Sequence, residues 1–388
     1  MSTTTTSNAR PQDEMLPFLN NFHDIFTTIG VVILLIGMNM GIAQVLDTHD
    51  FGEGQNLVYA RLGLFAGVAL VAWLLSALLV GRQRRILPGI VLAATFGITT
   101  SGVLGWLYTD YLINGVGIAQ LMQEGGEFQI SGDQFSFAAV SAVIQNLNPA
   151  VRFAPIVYAM IGLLPMVAYY LAFRLPFTGG LVGAGLVFTA AMVIVAVFPY
   201  YAILYLPGLL LLAATTLLVA GIFFDARDPQ RQTRLSGTAF WLHFFAAPAM
   251  LFAVLTVTQA GFSLDMVEVM NPQQIFIFSA MSEENVSSAT VAATALTVIG
   301  IFAIISLLIN RRALIVSGLL TAGVSISVIV NESGMGEGAT IAVTMLVLGG
   351  IVVILGAAWN PVRSLLLAPF PSSGPLARIF PPVSANEG

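Results

Sequence analysis

Long apolar runs alternate with short polar connections along this chain, and the runs exceed what a buried helix of a water-soluble domain requires. A helix that crosses a bilayer needs about 20 mainly apolar residues. By that measure the sequence predicts ten spans, over residues 25–46, 57–80, 88–110, 151–173, 180–198, 202–224, 239–262, 289–309, 313–331 and 339–358. Within lipid a helix satisfies all its backbone N–H and C=O groups internally, so the expected fold class is all-α, a polytopic membrane helix bundle. Ahead of the first span, Met15, Phe18, Leu19, Phe22, Ile25 and Phe26 recur at helical spacing with Asn20, Asn21 and Asp24 between them. That pattern predicts an N-terminal interfacial helix running directly into the first span. Residues 1–14 read as a disordered polar tail, 15–366 as one transmembrane domain and 367–388 as a Pro-rich cytoplasmic tail.

Charge then orients the spans, because basic residues are retained on the cytoplasmic side. Arg10, the run Arg82, Arg84 and Arg85, Arg174, the group Arg227, Arg231 and Arg234, the pair Arg311 and Arg312, and Arg363 and Arg378 all share one side if both termini are inside. Arg61 and Arg152 fall on the other. The opposite connections carry the acids, among them Asp47, Asp50, Glu53, Glu124, Glu127, Asp265, Glu283 and Glu332. Trp106, Tyr108, Tyr111, Tyr200, Tyr201 and Tyr205 mark the outer interface, and Trp241 and Trp359 the inner one. Two outer segments, 135–148 and 263–288, are too long for turns and read as re-entrant pieces or surface helices.

Composition narrows the chemistry. Of 388 residues 57% are hydrophobic and 9% charged, which suits lipid as the solvent. There is no cysteine, so zinc-thiolate, iron-sulfur and cysteine-nucleophile chemistry are excluded. All fourteen basic residues are arginine, which removes any lysine Schiff base or lysine general base. A formal charge of −5 argues against a nucleic-acid partner. The polar N-terminus lacks the basic leader of a secretory signal, so the first span is expected to be uncleaved.

Carboxylates held at mid-membrane are the usual mark of cation coupling, and the spacing places every Asp and Glu in a loop or at a helix end. Arg61, Arg152 and His243 are the deepest ionisable groups. Each arginine is read as structural, with contact to an anionic solute as the alternative. His243 is read as a packed or interfacial histidine with no metal partner nearby in sequence, and His23 and His49 map to opposite sides of the membrane. Methionines gather toward the outer side, at Met38, Met40, Met266 and Met270 among others, but without the tight spacing of a copper site. TTSG at 99–102 and the pair Glu283 and Glu284 lack the partners that intramembrane proteolysis needs. No nucleophile is paired with a base, so no enzyme activity, cofactor or metal is expected.

What remains is neutral polarity inside the spans. Asn39, Thr99, Thr100 and Ser101, together with Arg61 and His243, form a candidate solute path, while the same side chains serve equally as hydrogen-bonded helix contacts. Pro165 and Pro248 interrupt their helices and free carbonyls. Glycines at 37 and 41, 63 and 67, and 180, 183 and 185 predict close helix packing. Arg227, Arg231, Arg234 and Trp241 form a candidate cytoplasmic docking or lipid-contact patch, with Ser236 or Thr238 expected to cap the helix that follows.

The segments DPQRQTRLSGTAFWLHFFAAP, PFLNNFHDIFTTIG, NRRALIVSGL and WNPVRSLLL resemble a family of uncharacterised multi-pass inner-membrane proteins of proteobacteria. The likeness is spread along most of the chain. It implies a bacterial inner-membrane location and supplies no activity. Members often carry an acidic residue where this chain has Gly237, so the likeness assigns no charged role there. Two functions fit the residues: a permease-like carrier or channel for a small neutral or anionic solute, and a non-catalytic accessory or assembly subunit of a larger membrane complex. The expected partners are the lipid bilayer, a small solute, and other membrane subunits in the second case.

Overall fold

The computed structural model describes residues 22–49, 51, 54–117, 148–228, 233–260 and 288–310 and, less continuously, residues between 339 and 380. All regular structure among them is helical. The helices are α1 (Phe22–Thr48), α2 (Gln55–Ser76, extended by a π-helical turn over Ala77–Arg82), α3 (Leu87–Asp110, extended likewise over Tyr111–Gly115), α4 (Pro149–Arg152) and α5 (Ala154–Phe173). They continue with α6 (Pro176–Val197), α7 (Pro199–Leu204), α8 (Leu206–Arg227), α9 (Arg234–Ala260), α10 (Ser288–Ile309) and α11 (Trp359–Leu367).

Seven helices among the described residues, α1, α2, α3, α5, α6, α8 and α9, are long and apolar enough to cross a membrane. They coincide with the first seven predicted spans. The eighth falls on α10, whose described apolar stretch is the shorter Leu296–Ile309. The ninth span and the outer segments 135–148 and 263–288 lie outside the described residues, and the tenth lies within them only in part.

Proline explains where several helices start, since its fixed φ and missing N–H suit a first turn. It occupies the first or second position of α4, α5, α6, α7 and α8. Pro207 also separates α7 from α8, so the predicted span at 202–224 is a short helix followed by a long one. Among the described residues three non-glycine residues adopt positive φ, namely Arg84, Arg174 and Asn310. Each follows a helix, in the left-handed position where glycine is the usual occupant.

Contacts divide the chain into two compact units, one ending at Thr100 and the other beginning at Ser101. In the first, Val31 and Leu35 of α1 pack with Val68, Ala72, Leu79 and Leu92 around a small apolar core. Arg85 fastens the turn after α2 to the start of α1, donating from Nη1 to the His23 carbonyl at 2.9 Å and to Thr27 Oγ1 at 2.8 Å. Ile29, Ile33, Ile36, Leu70 and Leu74 are exposed, as side chains that meet lipid would be.

In the second unit α8 and α9 form a hairpin, α5 and α6 form another, and α6 packs on α9. Glycine sets that last seam. A Cβ on Gly179 would lie 2.8 Å from Thr238 Oγ1, one on Gly183 would lie 2.6 Å from Leu242 Cδ2, and one on Gly180 would collide with Trp241. The prediction of close packing at Gly180, Gly183 and Gly185 therefore holds. At Gly37, Gly41, Gly63 and Gly67 a Cβ would meet nothing within 4 Å, so among the described residues these glycines make no close helix contact. Arg363 closes α11 onto α10, its buried Nε donating to the Leu307 carbonyl at 3.0 Å in the last turn, where a cation opposes the helix dipole.

Candidate functional site

His243 sits nine residues into α9 and has no solvent exposure. Its Nε2 lies 2.9 Å from Oδ2 of Asp225, which belongs to the last turn of α8 and is 15% exposed. With Asp225 ionised, its carboxylate only accepts, and Nε2 then carries the shared hydrogen. Gly221 lies one turn before Asp225 on the same face of α8 and makes room for the ring. A Cβ there would stand 2.8 Å from Cε1, 2.9 Å from Nδ1 and 3.1 Å from Nε2 of His243. One helix thus supplies both the space and the acceptor for an imidazole on its neighbour.

The other ring nitrogen is left over. Nδ1 of His243 is buried and has no hydrogen-bond partner among the described residues. A buried polar atom of this kind costs about 1–3 kcal/mol relative to a satisfied one, and it is the sort of exception that needs a reason. Asp225 does belong to a helix end, as the sequence indicates, but its side chain turns back into the bundle. Folding the α8–α9 hairpin at the middle of its loop would pair Asp225 with Ser236. The same fold would face Gly221 with Phe240, less than one turn from the His243 it meets, so Asp225 reaches the ring through its side chain and not through a shift of the helices.

The remaining candidates disperse. Asn39 is exposed on α1 and donates from Nδ2 to the Leu35 carbonyl of its own helix at 3.1 Å. Thr99 Oγ1 donates to the Thr95 carbonyl at 2.7 Å. Thr100 Oγ1 is buried without a partner among the described residues. Arg61 is exposed near the start of α2. Ser101 reaches another helix: its hydroxyl donates to the Ile161 carbonyl at 3.2 Å. That carbonyl is free because Pro165, four residues on, has no N–H to give it. Arg152 caps the end of α6, with Nε 3.1 Å from the Ala196 carbonyl.

On the arginine-bearing side, Arg227 lies over the Phe223 ring at 4.2 Å and Arg234 is exposed at the start of α9. Arg231 lies outside the described residues. Trp241 packs in an aromatic cluster, 4.7 Å from Phe177 and 6.0 Å from Phe245 between ring centroids. The cap of α9 is neither Ser236 nor Thr238, which lie inside the helix. Thr233 Oγ1 accepts from the Leu235 N–H at 3.2 Å and donates to Asp228 Oδ2 at 2.6 Å, while the Thr233 N–H also reaches Asp228.

Among the described residues no three His, Asp or Glu side chains gather as metal ligands. Compared with known proteins, the chain matches no family model, no curated protein and no solved structure.

Proposed function

We propose that the chain is a non-catalytic, permease-like carrier or channel for a small neutral or anionic solute, resident in a bacterial inner membrane with ten spans and both termini in the cytoplasm. The observation that carries this reading is the Asp225–His243 pair, an ionisable couple held inside an apolar helix seam, with one ring nitrogen unpartnered among the described residues. Placing such groups within a bundle is costly, and where they occur they mark solute or proton routes by default. With Nε2 committed to Asp225, Nδ1 of a neutral ring is an acceptor. It suits a neutral solute that brings an O–H or N–H, whereas an anion would need the ring to carry a second hydrogen. Because Gly221 closes over the ring, a solute reaches Nδ1 only when α8 and α9 part.

The absence of native cysteine makes the test direct. His243→Cys, Thr100→Cys and Asn39→Cys are each placed in sealed vesicles and exposed to a membrane-impermeant thiol reagent. Labelling at 243 and 100 is the expected outcome; protection of both positions from both sides removes the path.

A second reading, the accessory or assembly subunit, draws on a different observation. Asn39, Thr99, Thr189, Thr216 and Thr256 all direct a side-chain donor to a carbonyl one turn back in their own helix, as polar groups do in a bundle that conducts nothing. Stoichiometric co-purification of other membrane subunits from gentle detergent would favour it. In either case Arg227, Arg231 and Arg234 would meet anionic headgroups or a docking protein on the cytoplasmic side.

A further inference from the structure

A cavity of about 420 Å³ opens between the start of α1 and the turn that follows α2, lined by His23, Asp24, Gln83, Arg84 and Arg85. That size lies within the range of about 300–1,000 Å³ common for ligand pockets. Arg85 and Asp24 are already committed to each other, with Nη1 3.3 Å from Oδ1. Arg85 Nε also donates to Gln83 Oε1 at 2.7 Å, which leaves the Gln83 amide its N–H groups to offer. Arg84 is different. It is exposed, its guanidinium makes no hydrogen bond among the described residues, and its backbone holds φ at 56°. Glycine would occupy that position without strain, so a large cationic side chain there calls for a use.

The lining sums to one positive charge: Arg84 and Arg85 against Asp24, with His23 counted neutral. A phosphodiester carries one negative charge and accepts the forked N–H groups of a guanidinium well. Around this polar cup stand exposed apolar side chains, Phe22 and Phe26 with ring centroids 4.5 Å apart, and Ile86. A polar cup with an apolar border fits an amphiphile better than a free ion.

We propose that this cup binds the phosphate of an anionic phospholipid headgroup, with Arg84 as its principal donor and Arg85 held in place by Asp24. The proposal is independent of whether the chain transports anything. Delipidated full-length protein is titrated with phosphatidylglycerol, phosphatidylcholine or inorganic phosphate, and bound species are counted by native mass spectrometry. Phosphatidylglycerol is expected to be retained over phosphatidylcholine. Arg84→Gly, which keeps the left-handed backbone comfortable, and Arg84→Gln, which keeps most of the side-chain length, should each weaken that retention about tenfold, equivalent to about 1.4 kcal/mol. Melting temperatures of both variants serve as the folding control. Arg82→Ala, which removes an exposed neighbour outside the cup, should leave retention unchanged. Equal retention by the Arg84 variants, an equal loss in Arg82→Ala, or full displacement of the lipid by inorganic phosphate at matched concentration would each overturn the assignment. The last would identify a soluble-anion site instead.

Discussion

A methyl group at Gly221 would have to occupy space 2.8–3.1 Å from three atoms of the His243 ring. The ring cannot step aside without losing its bond to Asp225. Alanine is the better helix former by about 0.5–1 kcal/mol, yet the steric penalty should win. Gly221→Ala is expected to destabilise by about 1–3 kcal/mol, read as a lowered thermal midpoint in detergent. Asp225→Asn preserves volume but removes the charge from the hydrogen bond, and should cost about 1–3 kcal/mol in the same assay. Wild-type stability in both would mean that the seam is looser than the distances imply. The sequence singles out His243, since a histidine inside an apolar run is conspicuous. Its partner is hidden because an aspartate in a last turn looks like any helix-end charge until the direction of its side chain is known.

At the scale of elements, helix existence was readable and helix partnership was not. Lipid demands about 20 apolar residues per crossing, which writes the spans plainly into the sequence. It also removes the contrast between a core face and an outer face, so hydropathy says nothing about which glycine meets which neighbour. The difference is testable. Gly180→Ala, pressed against Trp241, should lose about 1–3 kcal/mol, whereas Gly37→Ala faces open space and should be neutral or gain up to about 1 kcal/mol from helix propensity. Loss of stability in Gly37→Ala would reveal a neighbour on that face of α1.

The link between α3 and α5 offers a second test. Ser101→Ala strands the Ile161 carbonyl and should cost about 0.6–1.7 kcal/mol, the range for hydrogen bonds between membrane helices. Pro165→Ala restores an N–H four residues beyond that carbonyl. In a double-mutant cycle the serine should then contribute little; a serine effect unchanged by Pro165→Ala would detach the two residues from each other. The sequence reads Ser101 equally as part of a solute path or as a helix contact, because a hydroxyl serving a proline-freed carbonyl and one facing water are identical in sequence.

For the molecule as a whole, the all-helical character was legible and is borne out among the described residues, seven of whose helices are long and apolar enough to cross a membrane. Their orientation rests on arginine alone. Single cysteines at Arg82 and Arg227 should react with an impermeant reagent only from the cytoplasmic side of inside-out vesicles, and cysteines at Tyr111 and Tyr201 only from the opposite side. Reaction of Arg82→Cys and Arg227→Cys on different sides would dissolve the map of depths on which the transport reading depends.

The connection between α5 and α6 spans only Arg174 and Leu175, and Arg174 holds φ at 51° with its N–H 2.7 Å from the Tyr170 carbonyl. A non-glycine residue in that conformation costs about 1–2 kcal/mol, which glycine would remove. If this turn faces the cytoplasm, as the arginine distribution predicts, a guanidinium at its tip favours that orientation during insertion. The strain in the turn would then be offset by a gain made before the helices pack. Arg174→Gly should yield fewer correctly inserted chains, each of them a little harder to unfold.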